Sequence, residues 1–286
     1  MSREAMYWTS LANDAVRCFL CPHHCVIPSG NLGICRVRKN ENGSLQSLNY
    51  GLCTAIALDP IEKKPLYHYY PGSNILSIGT FGCNLQCSFC QNWEIAHGEN
   101  PPLYKVTARE MAELARRQKP ENNIGIAYTY SEPLMWYEFL LDTAEEIKNL
   151  GLSNILVSNG YIEEEPLRTL LPYIDAANID VKAFNQTFYP RLCKGQLDPV
   201  KRTVEILAEK CHLEITTLVI PGANDAMEEV NELAEWVAGI SKDIPLHLTR
   251  YFPNYKLHIP ATPIATLKNA GEIARRSLSR VYLGNI

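Results

Sequence analysis

Three cysteines, Cys83, Cys87 and Cys90, lie close together in the chain with the spacing C-x3-C-x2-C. A closed structural zinc site takes four protein ligands, and a [4Fe-4S] cubane normally takes four thiolates. Because the segment supplies only three thiols, one iron of a cubane would stay open for a substrate or cofactor. The alternative is a zinc ion whose fourth ligand comes from a distant residue such as His97 or Cys53.

A second group of cysteines has the spacing C-x2-C-x3-C-x9-C, at Cys18, Cys21, Cys25 and Cys35. Four thiols are enough for a closed zinc site, which would stabilise a segment too small to build its own core. An auxiliary [4Fe-4S] cluster also takes four cysteinates, although the spacing differs from the two-cluster ferredoxin run. A segment that binds no metal is the third alternative. The neighbouring His23 and His24 offer a substitute for one ligand.

The composition indicates a globular protein with a large core. The chain has 286 residues, of which 46% are apolar, and a formal net charge of −4. This size predicts one large domain, with or without a small appendage, and the charge argues against nucleic acid as a partner. The amino-terminal segment has no apolar signal-peptide core and the chain has no run long enough for a membrane span, so we expect a cytoplasmic protein without a membrane partner.

A reducing compartment disfavours disulfides, so the clustered members of the ten cysteines are interpreted as metal ligands. The isolated Cys53, Cys193 and Cys211 are interpreted as small buried hydrophobic residues.

From residue 74 onward, short apolar runs rich in β-branched residues alternate with longer amphipathic stretches. This alternation is typical of repeated β/α units. The predicted strands are 75–79, 124–128, 154–157, 177–181, 214–219 and 246–249. The predicted helices are 107–118, which opens with a Thr107–Glu110 capping box, and 132–150, 165–171, 199–210, 226–240 and 266–278.

The order of these elements predicts an α/β fold, a partial (β/α)6 TIM-like barrel over residues 74–286. The pattern alone does not separate such a barrel from a doubly wound sheet, but six units are too few for a closed eight-fold barrel. Residues 1–73 are predicted to form an amino-terminal extension that contains the four-cysteine motif and a hairpin around Asn40-Glu-Asn-Gly43. The three-cysteine loop follows the first barrel strand and so lies at the carboxyl rim, where barrels build their active sites.

Several motifs resemble those of a known family. C-N-L-Q-C-S-F-C resembles the cysteine signature of the radical S-adenosylmethionine (radical SAM) superfamily, with Phe89 as its aromatic residue. With its flanks, S-I-G-T-F-G-C-N-L-Q-C-S-F-C-Q-N-W resembles the branch that contains pyruvate formate-lyase activating enzyme. The segments C-F-L-C-P-H-H-C, D-P-I-E-K-K-P-L-Y-H-Y-Y-P-G and A-Y-T-Y-S-E-P resemble the radical SAM member of the AmmeMemoRadiSam system.

The resemblance implies the cofactors and the chemistry. It implies an oxygen-sensitive [4Fe-4S] cluster whose open iron binds S-adenosylmethionine, and reductive cleavage of that cofactor to a 5′-deoxyadenosyl radical that abstracts hydrogen from a substrate. An external one-electron donor, flavodoxin or ferredoxin, is implied because the chain has no flavin or nicotinamide motif. The system's name also points to Memo-like and AMME-type proteins as partners.

The resemblance further implies which residues contact S-adenosylmethionine. Glu132, with its neighbours Tyr130 and Ser131, occupies the position where the family commonly has Gly-Gly-Glu-Pro, and is the candidate acceptor for the ammonium group. The alternative for Glu132 is a carboxylate that only stabilises a helix amino terminus. Ser158 and Asn159 resemble the Thr-Asn-Gly element of the activating enzymes and are expected to hold the ribose and methionyl parts.

Further cofactor contacts are expected at the ends of later strands. Asp180 and Lys182, separated by one residue, point to the same side of an extended segment and resemble the family's Asp-Leu-Lys; a structural salt bridge is the alternative. Val219 and Pro221 match a family segment near adenine, or form an ordinary turn. His247 is either a further contact or a buried structural histidine.

The candidate substrate contacts are Lys63, Lys64, His68, Arg250 and Tyr251, for which solvated surface or ordinary packing is the alternative. The substrate, whether a small molecule or a protein, is not specified by the sequence. An alternative function is a glycyl-radical activating enzyme, although the two-cluster ferredoxin insert of many such enzymes is absent. A third is a non-catalytic metal-binding protein.

Overall fold

The structure is a computed structural model, and it describes residues 3–98 and 101–286. The strands are β1 (Arg3–Glu4), β2 (Trp8–Ser10), β3 (Val16–Cys18), β4 (Val26–Ile27), β5 (Arg38–Glu41), β6 (Ser44–Ser47), β7 (Leu52–Cys53), β8 (Ala55–Pro60), β9 (Asn74–Gly79), β10 (Tyr104–Lys105), β11 (Asn123–Tyr128), β12 (Ser153–Ser158), β13 (Ala176–Asp180), β14 (His212–Val219), β15 (Leu246–Arg250) and β16 (Val281–Gly284). The helices are α1 (Trp93–His97), α2 (Ala108–Arg117), α3 (Tyr137–Asn149), α4 (Glu164–Leu170), α5 (Leu197–Ala208), α6 (Met227–Ile240) and α7 (Ile264–Ala274).

An eight-stranded sheet forms the body of the molecule, in the order β16-β15-β14-β13-β12-β11-β9-β8. The neighbouring pairs from β9 to β16 are all parallel, and connecting helices such as α2, α3, α5 and α7 pack against the strands of the sheet. All six predicted barrel strands are present, so the predicted partial TIM-like barrel is confirmed. Parallel strands bring their carboxyl ends to one rim, which is where the three-cysteine loop lies.

Two strands at the edges of this sheet were not predicted. β16 adds a further parallel strand beside β15, and β8 pairs antiparallel with β9 at the opposite edge. β16 has four residues and β8 ends in Pro60 inside a proline-rich segment, so neither carries a strong strand pattern. The sheet therefore begins at Ala55, and the domain boundary placed between residues 73 and 74 stays a prediction.

The amino-terminal segment forms two small antiparallel sheets, β2-β3-β4 and β1-β6-β5. The predicted hairpin is confirmed as β5 and β6, where Asn42 and Gly43 have φ of 53° and 85°. Positive φ at both central residues is the mark of a type I′ turn. A buried ion pair between Arg38 and Glu138, with 2.6 Å between Nη2 and Oε1, fastens this segment to α3.

The helices agree with the sequence patterns, with shifts at their ends. Thr107 and Glu110 form the predicted capping box at the start of α2. The predicted helix 132–150 is instead a 3₁₀ turn over Pro133–Trp136 followed by α3, because Pro133 fixes an irregular entry. In the part of the chain that the structure covers, no helix has the length and apolar content needed to cross a bilayer.

Candidate cofactor site

A cavity of about 420 Å³ opens at the carboxyl rim of the barrel. Most of the residues predicted to bind the cluster or the cofactor line it: Cys83, Cys87, Phe89, Cys90, Tyr130, Ser131, Glu132, Ser158, Asn159, Asp180 and Lys182. Of the predicted substrate contacts, Lys63 also lines it. These residues come from the ends of four neighbouring strands, and the parallel order of the sheet brings them to one place.

The cysteine loop is held by backbone and side-chain hydrogen bonds. The backbone N–H of Leu85 and the amide Nδ2 of Asn159 donate to Cys83 Sγ at 3.4 Å and 3.7 Å. Asn159 Nδ2 also lies 3.0 Å from Asn84 Oδ1. Hydrogen bonds to cysteine sulfur are a regular feature of iron–sulfur sites, where they tune the charge on the cluster.

Cys193, interpreted from the sequence as isolated, lies beside the cysteine loop. The Gln86 N–H donates to the Cys193 carbonyl at 2.8 Å, so the segment that ends at Cys193 braces the loop. The neighbouring Cys193 thiol lowers the pKa of Cys87, and Lys182 adds to this effect. A lowered pKa favours the thiolate, which is the form that binds metal.

Glu132 lies at the amino end of the 3₁₀ turn and is completely buried. Its Oε1 accepts hydrogen bonds from Ser158 Oγ at 2.7 Å and Leu134 N at 3.0 Å, and its Oε2 accepts one from Asn159 N at 2.9 Å. Burial raises the pKa of Glu132 to about 7, against the opposing effect of these hydrogen bonds. Among residues 3–98 and 101–286 no cationic side chain forms a salt bridge with Glu132, and such a buried carboxylate is suited to receive the ammonium group of a ligand.

Asp180 and Lys182 point to the same side of the chain after β13, as predicted. Lys182 Nζ lies 2.9 Å from Asp180 Oδ2, so the pair forms a salt bridge and lines the cavity as well. Burial opposes the charge on Lys182, but Asp180 and the nearby Cys87 and Cys193 thiols outweigh it and hold the lysine pKa well above its usual range. The structure is therefore compatible with both alternatives for Asp180 and Lys182, a contact with the cofactor and a structural salt bridge.

His247 and His68 do not reach the cavity. Both lie near the amino end of the barrel, where His247 Nε2 is 2.6 Å from Glu214 Oε2 and His68 Nε2 is 2.6 Å from Tyr282 Oη. His247 is in register with Thr216, which lines the cavity, but the His247 side chain is held by Glu214 and is not part of the lining. The structure corrects these two assignments, and His247 is a buried structural histidine.

Other predicted contacts also lie outside the cavity lining. Lys64 Nζ is 2.8 Å from Asp59 Oδ2 and is buried beneath the Tyr130 ring. The side chain of Arg250 donates to the Thr262 carbonyl, and the Tyr251 hydroxyl donates to the Leu257 carbonyl. These side chains hold loops in place. The cavity lining also excludes Val219 and Pro221.

Several lining residues were not found from the sequence: Gln91, Asn92, Thr216, Thr249 and Asn285. Gln91 and Asn92 directly follow Cys90, and this proximity was an available signal. Thr216 and Thr249 lie within β14 and β15, which also carry other polar residues, so the sequence did not single them out.

The residues of the cavity fit a [4Fe-4S] cluster with S-adenosylmethionine. The cluster would be held by three thiols, one of which accepts N–H hydrogen bonds. The large adjoining space and the buried carboxylate of Glu132 suit S-adenosylmethionine. Cys53 does not line the cavity, whereas His97 does. Within residues 3–98 and 101–286, no three His, Cys, Asp or Glu side chains stand ready to hold a metal ion.

A barrel of this kind with a three-cysteine loop at its rim defines a class of enzyme, and sequence comparison gives the same class. The model of the radical SAM superfamily matches residues 77–237. The chain belongs to the radical SAM superfamily. It is an enzyme of that superfamily, and its cofactors are a [4Fe-4S] cluster and S-adenosylmethionine. The zinc alternative for the three-cysteine loop and the non-catalytic alternative are therefore wrong.

Curated relatives differ in how much of the chain they share. The chain is 42% identical to an uncharacterised protein of Methanocaldococcus jannaschii over 99% of its length and 85% of the relative. It is 27% identical to the pyruvate formate-lyase-activating enzyme of Clostridium pasteurianum, over 59% of this chain and 72% of that enzyme. The first similarity includes the amino-terminal four-cysteine segment.

Solved structures show the same fold at low identity. Streptococcus suis SuiB bound to S-adenosylmethionine superposes with a TM-score of 0.58 at 14% identity, covering 74% of this chain and 52% of that one. A domain of pyruvate-formate lyase-activating enzyme from Bacteroides vulgatus gives a TM-score of 0.50 at 18% identity, covering 56% and 99%. These similarities extend to the fold alone.

Proposed function

We propose that this enzyme cleaves S-adenosylmethionine reductively and uses the product radical to abstract hydrogen from a substrate. The observation that supports the proposal is a single cavity lined by three thiols and by the buried carboxylate of Glu132. When bound, the cluster and S-adenosylmethionine supply the electron transfer that breaks the sulfonium S–C5′ bond and generates a 5′-deoxyadenosyl radical.

Within this proposal, the chain's residues bind, orient and shield the reacting groups. Cys83, Cys87 and Cys90 hold the cluster. Glu132 accepts the ammonium group of S-adenosylmethionine, and Ser158 orients that carboxylate through its hydrogen bond. The barrel walls surround the reacting groups on their sides, which limits the access of water and so protects a radical from side reactions.

Other lining residues take more general roles in the proposal. Asn159 contacts both Cys83 Sγ and the Asn84 side chain, so it keeps the cysteine loop in register with β12. The Asp180–Lys182 pair offers a cation for the cofactor carboxylate. Phe89, Tyr130 and Ser131 complete the walls around the cofactor.

Lys63 stays our candidate for substrate recognition. Its ammonium lies 3.1 Å from Asp59 Oδ1, its side chain is 66% exposed, and it lines the cavity together with Thr216 and Thr249. A lysine at the wall of a cavity that two threonines also line favours a small substrate that carries an anionic group. Deuterium transfer from labelled candidate substrates into 5′-deoxyadenosine identifies the substrate.

The experiment that tests the proposal is anaerobic reconstitution followed by dithionite and S-adenosylmethionine. We expect 5′-deoxyadenosine and methionine from the wild type, and neither from Cys83→Ala, Cys87→Ala or Cys90→Ala. Cys211→Ala is the matched control, because Cys211 does not line the cavity. Product formation by any of the three variants at the wild-type level would overturn the proposal.

A glycyl-radical activating enzyme is the second candidate, and the similarity to the Clostridium pasteurianum enzyme favours it. A glycine-centred EPR signal in a co-expressed partner would support it. Membership of the AmmeMemoRadiSam system, with Memo-like and AMME-type partners, is supported by the segments D-P-I-E-K-K-P-L-Y-H-Y-Y-P-G and C-F-L-C-P-H-H-C. We propose an external flavodoxin or ferredoxin as the electron donor in either case.

A further inference from the structure

The four amino-terminal cysteines surround a second, separate cavity. Cys18, Cys21, Cys25 and Cys35 all line it, although they come from β3, a loop, the approach to β4 and the loop before β5. Cys18, Cys21 and Cys35 are buried, and Cys25 is half-buried. Four separate parts of the amino-terminal segment thus place their thiols at the wall of one cavity.

The size of this cavity favours a single zinc ion over an auxiliary [4Fe-4S] cluster at the four cysteines. Its volume is about 10 Å³, whereas the cavity beside the three-cysteine loop has about 420 Å³. A space of roughly 10–15 Å³ holds one water-sized body. A single ion meets this limit, whereas a cubane of four irons and four sulfides does not.

The buried side chain of Arg38 indicates that a negatively charged group, such as a metal-bound thiolate, occupies this cavity. Arg38 lines the same cavity with 1% of its surface exposed, and its Nη1 and Nη2 atoms are bonded to the Met6 carbonyl and to Glu138. Within the described part of the chain, its Nε–H has no hydrogen-bond partner. A buried N–H is costly unless it is paired, and a metal-bound thiolate is a suitable acceptor.

We propose that Cys18, Cys21, Cys25 and Cys35 bind one Zn²⁺ as a closed tetrathiolate site, with Arg38 as an outer hydrogen-bond donor. Zinc accepts four thiolates and C-x2-C and C-x3-C spacings, and a site with four protein ligands is structural. The thiols turn inward from their present positions on binding, because among the described residues no ready-made set of three ligands exists.

The position of the site gives it a role in the enzyme. His23, between Cys21 and Cys25, has its Nε2 atom 2.7 Å from the Asn84 carbonyl in the three-cysteine loop. The Leu20 carbonyl accepts a hydrogen bond from Glu163 N, just beyond β12. Zinc would therefore fix the segment that supports the cluster loop, and we assign it a positioning role.

Metal analysis of the full chain tests the proposal independently of turnover. A variant with Cys83→Ala, Cys87→Ala and Cys90→Ala together, purified anaerobically, is expected to keep about one zinc per chain without acid-labile sulfide. Cobalt exchange should give the intense visible bands of tetrahedral thiolate coordination. Adding Cys21→Ser should remove the zinc, whereas adding Cys211→Ser should leave it in place.

Iron and zinc in the wild type give a second measurement that needs no substitution. We expect about four irons and about one zinc per chain after reconstitution. About eight irons, or sulfide in the triple variant, would establish an auxiliary cluster and overturn the proposal. A folded triple variant that binds neither zinc nor cobalt would overturn it as well. If the enzyme formed no 5′-deoxyadenosine, the zinc result would be unaffected. The zinc site and the proposed cleavage of S-adenosylmethionine are therefore tested independently.

Discussion

The Ser158 hydroxyl donates a hydrogen bond to Glu132 Oε1 at 2.7 Å and thereby joins the polar ends of β11 and β12. This contact orients a carboxylate that is buried at the wall of the cofactor cavity. Because burial raises the pKa of Glu132 to about 7, its charge changes within the range in which the enzyme is handled.

Binding of S-adenosylmethionine should weaken as the pH falls. Only the ionised Glu132 attracts an ammonium group, and the apparent Kd rises as the ionised fraction falls. With a pKa of about 7, the apparent Kd at pH 6 should be about tenfold higher than at pH 8. Anaerobic calorimetric titration of the reconstituted enzyme measures this dependence.

The control for this prediction is Glu132→Gln, which keeps the shape but removes the charge. It should bind S-adenosylmethionine more weakly than the wild type at pH 8 and with a nearly flat pH dependence. Equal pH dependence in the two proteins would contradict the role of Glu132.

Gly82→Ala should destabilise the protein and reduce its iron content. A methyl group at residue 82 would lie 2.3 Å from Val37 Cγ1 and 2.9 Å from the Cys35 carbonyl, and φ is +91° there. Such crowding and left-handed strain together cost about 2–4 kcal/mol. Denaturant unfolding and iron analysis measure the two effects.

Gly72→Ala is the matched control for Gly82→Ala. Gly72 has a similar φ of +79°, but a methyl group there would meet nothing within 4 Å. It should cost only about 1–2 kcal/mol and leave the iron content unchanged. An equal loss of iron in both variants would show that contact with the Cys35 segment is unimportant.

Arg36→Glu should slow reduction by an acidic flavodoxin, the proposed donor. The segment from residue 16 to residue 40 contains no Asp or Glu, and its basic side chains outside the core are Arg17, Arg36 and Lys39, although the whole chain has a net charge of −4. Exposed Arg36 donates to the His97 carbonyl at 3.1 Å, and His97 lines the cofactor cavity. Loss of electrostatic steering should lower the reduction rate about tenfold or more at low salt.

The reduction rate is followed by stopped-flow absorbance of the cluster with flavodoxin, and in parallel with dithionite. Dithionite reduction should keep the wild-type rate, and added salt should shrink the difference with flavodoxin. Arg276→Glu makes the same charge change at an exposed position of the loop after α7. If it slowed flavodoxin as much as Arg36→Glu does, net charge rather than a docking site would be responsible.

The inner strands of the barrel could be predicted because each one is a short apolar run followed by polar residues. β8 could not, because its antiparallel pairing with β9 depends on how the proline-rich segment after it folds back. The observed helix ends differ from the predicted ones by a few residues, because periodicity alone does not determine where a helix begins. The start of α3, for example, is set by packing and by Pro133.

In the candidate site too, residues that are close in the sequence could be predicted, whereas those brought in by tertiary contacts could not. The Cys83–Cys90 motif is local in the chain, so spacing alone identified it. Cys193 reaches the loop only through tertiary contacts, and its neighbour Cys87 lies more than a hundred residues away in the sequence. His247 was misplaced because its partner, the buried Glu214, lies on the neighbouring strand, and a residue pattern does not reveal such a tertiary contact.

Glu214→Gln should destabilise the amino end of the barrel, by an amount that falls as the pH is lowered. Glu214 is fully buried, lies 2.9 Å from His212 Nε2 and 2.6 Å from His247 Nε2, and accepts the His68 N–H at 2.7 Å. Burial alone would raise the pKa of Glu214, but these partners outweigh burial and lower it from 4.5 to about 2. A lowered carboxyl pKa stabilises the fold above the unfolded-state value, and this contribution is lost as the pH falls toward 2.

A difference of this size between the two pKa values corresponds to roughly 3 kcal/mol of stability at neutral pH. Urea unfolding of Glu214→Gln and of the wild type should therefore differ by roughly 3 kcal/mol at pH 7 and by less than half of that near about pH 3. The exposed Glu272→Gln substitution on α7 is the control and should change little at either pH. A constant difference across the pH range would mean that lost packing, rather than the charge of Glu214, accounts for the destabilisation.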